Sequence, residues 1–187
     1  MCSPPPTGGK GVRLAPSKEQ TGRVVVGIAE LKVSGVPEQL LVTYALGSCL
    51  GVCIYDPVAR VGGLLHAMLP SAQMDPAKGR SNPARFVDTG VPTLFKQAYA
   101  LGAVKERIIV SVAGGASMTA GDREDGFQIG KRNFLEFKKL LWRNGVVLRD
   151  QDVGGNISRT VSLDISTGEV RVKTGTQEYS LSRRYPR

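Results

Sequence analysis

An α+β (mixed α/β) layered domain is the fold this sequence predicts, on three observations. Short β-branched or continuously apolar runs recur along most of the chain, two amphipathic helices interrupt them, and the two kinds of segment do not alternate as a doubly wound sheet requires. The 187 residues, 41% apolar and 22% charged, suit one domain with a sizeable core. Residues 1–22, basic and rich in Pro and Gly, read as a disordered tail, 23–175 as the folded domain and 176–187 as a basic C-terminal tail.

The elements follow in order. Residues 23–34 (RVVVGIAELKVS) read as a first strand, broken by Gly35-Val36-Pro37. Residues 39–44 and 49–55 are apolar runs bent around Leu46-Gly47-Ser48, and Asp56-Pro57 ends the second with a turn. Residues 62–69 form a further apolar strand that contains His66 and stops at Pro70, and 71–82 read as a loop. Over 83–101, Phe86, Val87, Val91, Leu94, Phe95, Ala98 and Leu101 recur at helical spacing, with Gly102 as the stop and Pro92 as a kink or restart. Residues 107–112 are a buried strand leading into Gly114-Gly115, and a polar loop over 119–128 follows. A second helix spans 130–144, with Phe134, Phe137, Leu140 and Leu141 on one face and Gly145 at its end. Strands over 146–152, 159–165 and 169–173 complete the domain, the last two joined through Ser166-Thr167-Gly168 as a hairpin.

Lys and Arg number 25 against 16 Asp and Glu, a net charge of +9 that favours an acidic partner. Aromatics make up 6% of the chain and are not interleaved with the basic residues, so no nucleic-acid module is evident. Residues 40–55 carry no charge but fall short of the roughly 20 apolar residues of a spanning helix, so membrane insertion is not expected. Three cysteines, Cys2, Cys49 and Cys53, are too few for a disulfide framework, and the N-terminus lacks the apolar core of a secretory signal. The expected compartment is the cytoplasm.

His66 is the only histidine, and so the only side chain whose unperturbed pKa suits proton transfer at neutral pH. It follows by seventeen residues Cys49, which sits in an uncharged Gly47-Ser48-Cys49 turn. An imidazole beside a thiol can take its proton and make it a nucleophile. Thr43, six residues before Cys49, is a candidate to orient the imidazole, with Asp56 and Asp164 as alternatives. A tight turn at Gly47 and Ser48 would aim backbone N–H groups at an oxyanion. The competing reading is an ordinary core, with His66 and Cys49 buried and Thr43 chosen for β-propensity. Zinc is disfavoured, because one histidine and no second cysteine pair do not make four close ligands. Cys53 reads as core. Gly114, Gly115 and Ser117 form a loop that would let a substrate backbone approach closely, but they lack the Lys-Ser/Thr ending of a phosphate-binding loop.

Several segments together resemble a known family. Thr43-Tyr-Ala-Leu-Gly-Ser-Cys49-Leu-Gly-Val-Cys-Ile-Tyr-Asp56, and His66 within Gly-Leu-Leu-His-Ala-Met-Leu-Pro, are similar to the CheD family of chemoreceptor glutamine deamidases. The similarity continues through Gly114-Gly-Ala-Ser-Met118, Ile129-Gly-Lys-Arg-Asn133, Asp152-Val-Gly-Gly-Asn156, Arg159-Thr160 and Thr167-Gly168, and spans about residues 24–173. The resemblance implies a Cys-His-Thr triad: Cys49 the nucleophile, His66 the general base and acid, Thr43 its orienting group. It implies hydrolysis of receptor glutamine side chains to glutamate and ammonia through a thioester, with no metal or cofactor. It also implies a layered α/β/β/α sandwich like the catalytic domain of cytotoxic necrotizing factor toxins. The implied partners are chemoreceptor cytoplasmic domains and a CheC-type phosphatase. A non-catalytic module that docks a receptor or CheC is the alternative.

Overall fold

In the computed structural model, which describes residues 22–117 and 127–181, ten strands form two stacked five-stranded sheets. The strands are β1 (Arg23–Val25), β2 (Leu31–Ser34), β3 (Leu40–Leu46), β4 (Leu50–Asp56), β5 (Val61–Ala67), β6 (Ile109–Gly114), β7 (Leu148–Val153), β8 (Arg159–Asp164), β9 (Val170–Thr174) and β10 (Gln177–Ser180). One sheet runs β1-β3-β8-β9-β10 and the other β2-β5-β4-β6-β7. Both are mixed, since β1/β3 and β6/β7 pair in parallel and the remaining neighbours antiparallel. Helices α1 (Pro76–Ser81), α2 (Val87–Ala100) and α3 (Ile129–Arg143) lie between β5 and β7 in sequence.

Strand periodicity sorts the core into two sides. On β4, Leu50, Val52 and Ile54 pack toward α2 and α3, while Cys53 and Tyr55 face the other sheet. On β5, Leu65 and Ala67 join the helix side and Leu64 the inter-sheet side. Every residue of β4 and β5 is buried, so neither strand shows the polar alternation of a solvated face. In the β1 sheet, Leu41, Val161, Leu163 and Val172 point inward, while Tyr44, Thr160, Ser162, Arg171 and Lys173 line its outer face. Leu40 and Val42 are the aliphatic side chains on that largely polar face. Among the described residues the architecture is α/β/β, and the second helical layer of an α/β/β/α sandwich is not seen.

Three further differences from the sequence expectation have local causes. The first strand splits: β1 and β2 belong to different sheets, and residues 26–30 cross between them with Ala29 at φ 58°. The segment over 71–82 contains α1, started by Asp75, whose side chain accepts from Lys78 N–H, and by Pro76 at the first turn. The folded domain also runs past residue 175: β10 pairs with β9, and Leu181 is fully buried between the sheets. The expected hairpin is present, with Gly168 at φ 73° between β8 and β9. Cys2 and most of the N-terminal tail, Met118, much of the 119–128 loop and residues 182–187 lie outside the described residues.

A buried polar tie crosses the sandwich. Arg159 of β8 donates to Asp152 of β7 at 3.1 Å, and the Tyr179 hydroxyl of β10 donates to the other Asp152 oxygen. With both ion-pair members under one-tenth exposed, removing either would leave an uncompensated buried charge.

Candidate active site

Thr43 of β3 and His66 of β5 meet across the inter-sheet space, both almost wholly buried. The Thr43 hydroxyl lies 2.8 Å from the Val26 carbonyl oxygen and 2.7 Å from His66 Nδ1. A hydroxyl has one proton, and a carbonyl only accepts, so that proton goes to Val26. Nδ1 must then donate to Thr43 Oγ1. The network thereby assigns the neutral tautomer protonated on Nδ1, with the lone pair on Nε2. His66 Nε2 is buried with no protein partner among the described residues. The His66 backbone is braced as well: its N–H donates to Glu30 O at 2.9 Å, and its carbonyl accepts from Ala29 N–H at 3.0 Å.

Cys49 immediately precedes β4 and reaches the same face. Gly51 sits directly opposite His66 in the β4/β5 ladder, and Cys49, two residues earlier, lies diagonally from His66. Cys49 packs against the inter-sheet core yet keeps intermediate exposure. The thiol is therefore at the rim and the imidazole behind it.

Local backbone devices create this placement. Between Thr43 and Leu46 the β3/β8 register slips, with Thr43 opposite Val161 and Leu46 opposite Arg159, so β3 holds one extra residue. Ala45 takes φ 56°, Tyr44 and Ala45 turn outward, and both Thr43 and Leu46 point inward. Leu46 fills the space above Gly51, where a Cβ would stand 2.6 Å from Leu46 Cδ1. The missing side chain of Gly51 is thus what admits Leu46 to the inter-sheet core beside Thr43.

The turn itself is held by its carbonyls. Gly47 O accepts from Ala116 N–H at 2.8 Å, Cys49 O from Gly115 N–H at 2.8 Å, and Ser48 O from Asn133 Nδ2 at 2.9 Å. Among the described residues, neither Ser48 nor Cys49 N–H donates to a backbone carbonyl, and the Cys49 N–H is directed at its own sulfur. Gly114, at φ 113°, would carry its Cβ 2.2 Å from Cys49 O, and a Cβ on Gly115 would press on Gly130 O at 3.1 Å. The closeness these glycines permit is to the protein's own turn and to α3, and Gly115 and Ser117 also line an open cavity with Gly130, Lys131, Gly154 and Gly155. Ser117 is exposed and spends its N–H on Gly155 O at 2.8 Å, while Gly154 N–H donates to Gly114 O at 2.9 Å.

Asn133 is a residue to which the sequence, beyond placing it in the Ile129–Asn133 motif, assigns no role. Its Nδ2 donates both to Ser48 O and to Met68 O at 2.9 Å, joining the segment before Cys49 to the segment after His66. The signal was present: Asn133 shares an i, i+4, i+8 row with Phe137 and Leu141, a polar residue on the buried side of an amphipathic helix.

Burial raises the Cys49 thiol above its ordinary pKa, only partly offset by its own backbone N–H, and burial lowers His66 below its ordinary value. Both shifts favour a neutral thiol beside a neutral imidazole. Cys53, fully buried, is pushed up to about 12 and stays a core thiol. The two carboxylates considered as orienting groups are engaged elsewhere. Asp56 binds Arg107 and the N–H groups of Val58, Ala59 and Val104, and Asp164 caps the 166–168 turn. No cluster of potential metal ligands occurs among the described residues, and no helix there is long and apolar enough to cross a membrane.

Comparison with known proteins meets this geometry from outside. A family model described as CheD, chemotactic sensory transduction, matches residues 68–174, a span that includes Gly114, Gly115 and Asn133. The chain is similar to a probable chemoreceptor glutamine deamidase CheD of Solibacter usitatus, 47% identical over 164 residues, covering 88% of this chain and 96% of that one. It is also similar to proteins so named from Syntrophus aciditrophicus (49% identity; 82% and 94% covered) and Pyrococcus abyssi (44% identity; 82% and 92% covered). Among solved structures, Neisseria meningitidis protein NMB0706 aligns with a TM-score of 0.42 and 12% identity over 74% of this chain and 65% of that one, too distant to inform the site. With relatives 44–49% identical covering 82–88% of it, and a family model matching more than half of it, the chain belongs to the CheD family.

Proposed function

We propose that this protein is a chemoreceptor glutamine deamidase, in which Cys49, His66 and Thr43 hydrolyse glutamine side chains to glutamate and ammonia. One observation carries the reading: the Thr43 hydrogen bond leaves the basic nitrogen of His66 bare on the face that carries Cys49.

The chemistry follows from that tautomer. As the glutamine carboxamide arrives, His66 Nε2 takes the Cys49 proton and the sulfur attacks the carboxamide carbon. The tetrahedral oxyanion is met by the Ser48 and Cys49 N–H groups, at the turn that Gly47 opens. The imidazolium returns its proton to the departing nitrogen, so ammonia leaves and a thioester remains. Water then gives a proton to Nε2 and attacks the thioester; the thiol leaves with that proton and the product is glutamate. Acid–base transfer of this kind contributes roughly 100- to 10,000-fold. Thr43 serves throughout by accepting from Nδ1–H, which becomes more valuable when the ring is cationic.

The reading extends to receptor cytoplasmic domains as substrates, to a CheC-type phosphatase as partner, and to a cytoplasmic setting. Kinship of fold with cytotoxic necrotizing factor catalytic domains belongs to the same proposal and rests on the family resemblance alone. Mass spectrometry of a receptor cytoplasmic fragment tests it. Glutamines should gain the mass of an amide-to-acid conversion with the native protein and none with Cys49→Ala of unchanged circular dichroism. Undiminished conversion by Cys49→Ala would sink the proposal. A docking module without turnover would instead bind the fragment and leave its mass unchanged.

A further inference from the structure

The outward side of α3 presents Lys131, Leu135, Lys138 and Trp142 at intervals of four, three and four residues, which puts them on one stripe of the helix. All four are exposed, Leu135 at 50% and Trp142 at 81%. A tryptophan so exposed, in register with an exposed leucine one heptad away, is an anchor of the kind that dominates interfaces. The helix also carries Lys131, Arg132, Lys138, Lys139 and Arg143 against a single carboxylate, Glu136, which pairs with Lys139 at 3.6 Å. Lys138 lies over the Phe134 ring at 4.9 Å, a contact that steadies its ammonium on the surface.

The spacing selects the shape of the partner. Leu135 and Trp142 stand about 10 Å apart along the axis, one heptad at 1.5 Å per residue. A second helix repeats its apolar side chains at that interval, whereas an extended strand repeats them about every 7 Å. The charge selects its chemistry, since the cations beside the apolar pair call for carboxylates. The position selects its purpose. The stripe begins beside the nucleophile turn, because Gly130 packs on Gly115 and Asn133 bonds Ser48 O.

We propose that this stripe docks an acidic amphipathic helix of the substrate polypeptide, its apolar side chains on Leu135 and Trp142 and its carboxylates on Lys131 and Lys138. The assignment of the partner as substrate rests on the deamidase reading above. A helix laid along α3 brings the residues at one of its ends to Cys49, so docking sets which glutamines are presented.

Trp142 is the only tryptophan in the chain, so its emission reports this surface alone. The full chain carrying Cys49→Ala, which removes turnover, is titrated with a tryptophan-free receptor cytoplasmic fragment. The expected result is a blue shift of Trp142 emission that weakens with salt, and a Kd raised at least about tenfold by Lys131→Glu with Lys138→Glu. In the active chain, Leu135→Ala and Trp142→Ala should raise KM on the fragment by about the same factor, with kcat and the alkylation rate of Cys49 unchanged. Unmoved emission while the wild-type chain deamidates the fragment overturns the docking site and leaves the enzyme reading intact. A charge-sensitive shift without any deamidation keeps the docking site and rejects the enzyme reading. A shift produced by phosphatidylserine vesicles and not by the fragment assigns the stripe to a membrane surface and overturns the proposal.

Discussion

Replacing Thr43 by valine keeps the shape of the side chain and deletes the hydroxyl on which the whole tautomer argument depends. Two buried groups lose their partner at once: His66 Nδ1–H and the Val26 carbonyl, now 2.7 and 2.8 Å from the missing oxygen. An unsatisfied buried donor or acceptor costs about 1–3 kcal/mol. The imidazole can relieve its share by moving the proton to Nε2, where it blocks acceptance of the Cys49 proton. At 1.4 kcal/mol per factor of ten, losing that bias slows turnover about 10- to 100-fold. KM should hold, because no substrate contact is removed. Stability should fall by a similar 1–3 kcal/mol, or roughly 2–10 °C in Tm for a chain of this length. Ammonia release from a receptor fragment gives kcat, iodoacetamide labelling gives the reactivity of Cys49 without substrate, and Thr43→Ser supplies the control, since it restores a hydroxyl. Wild-type kcat in Thr43→Val, or a serine variant as slow as the valine one, refutes the claim that the hydroxyl orients His66.

Because His66 is held below its ordinary pKa, Nε2 stays unprotonated through neutrality, so kcat/KM should be level from mildly alkaline to neutral pH and fall only below about pH 6.5. Alkylation of Cys49 should keep rising into the alkaline range, because its thiol is raised; a thiolate plateau at mildly acidic pH would contradict a neutral resting pair. Gly51→Ala sets a methyl 2.6 Å from the buried Leu46 Cδ1 and should cost about 1–3 kcal/mol in thermal melts, with part of the loss restored by Leu46→Val. Asn133→Ala withdraws the donor from Ser48 O and Met68 O, which should lower stability by about 2–4 kcal/mol and reduce Cys49 labelling; unchanged labelling would show that the turn holds without it.

Much of this site was legible because its parts are written locally. An uncharged run bent at Gly47-Ser48 announces two buried strands, and a histidine within a third apolar run has to lie beside them. What stayed hidden depends on backbone conformation that composition does not encode. The run VVVGIAELKVS has the residues of one strand, yet Ala29 adopts a left-handed conformation that few non-glycine residues take, and the chain changes sheets there. The extra residue at Tyr44-Ala45 is equally silent, since alternation alone would have turned Leu46 outward. The role of Asn133 stayed hidden, although its motif was visible, because one amide among apolar neighbours resembles a surface position slightly out of phase. β10, four residues of largely polar sequence, carries no strand signal apart from Tyr179, and only its pairing with β9 makes it one.

The crossing at residues 26–30 touches both halves of the proposed catalytic pair: Val26 O receives the Thr43 hydroxyl, while Ala29 N–H and Glu30 O brace the His66 backbone. Readiness for chemistry is therefore tied to whether residues 26–30 are seated. A proteolytic nick at the exposed Ile28 would leave Thr43, Cys49 and His66 in one fragment, covalently intact, and still unfasten the ring nitrogen that must stay bare. Activity and integrity of that short connector should be lost together, which makes residues 26–30 a point where a protease could silence the proposed activity without altering Thr43, Cys49 or His66.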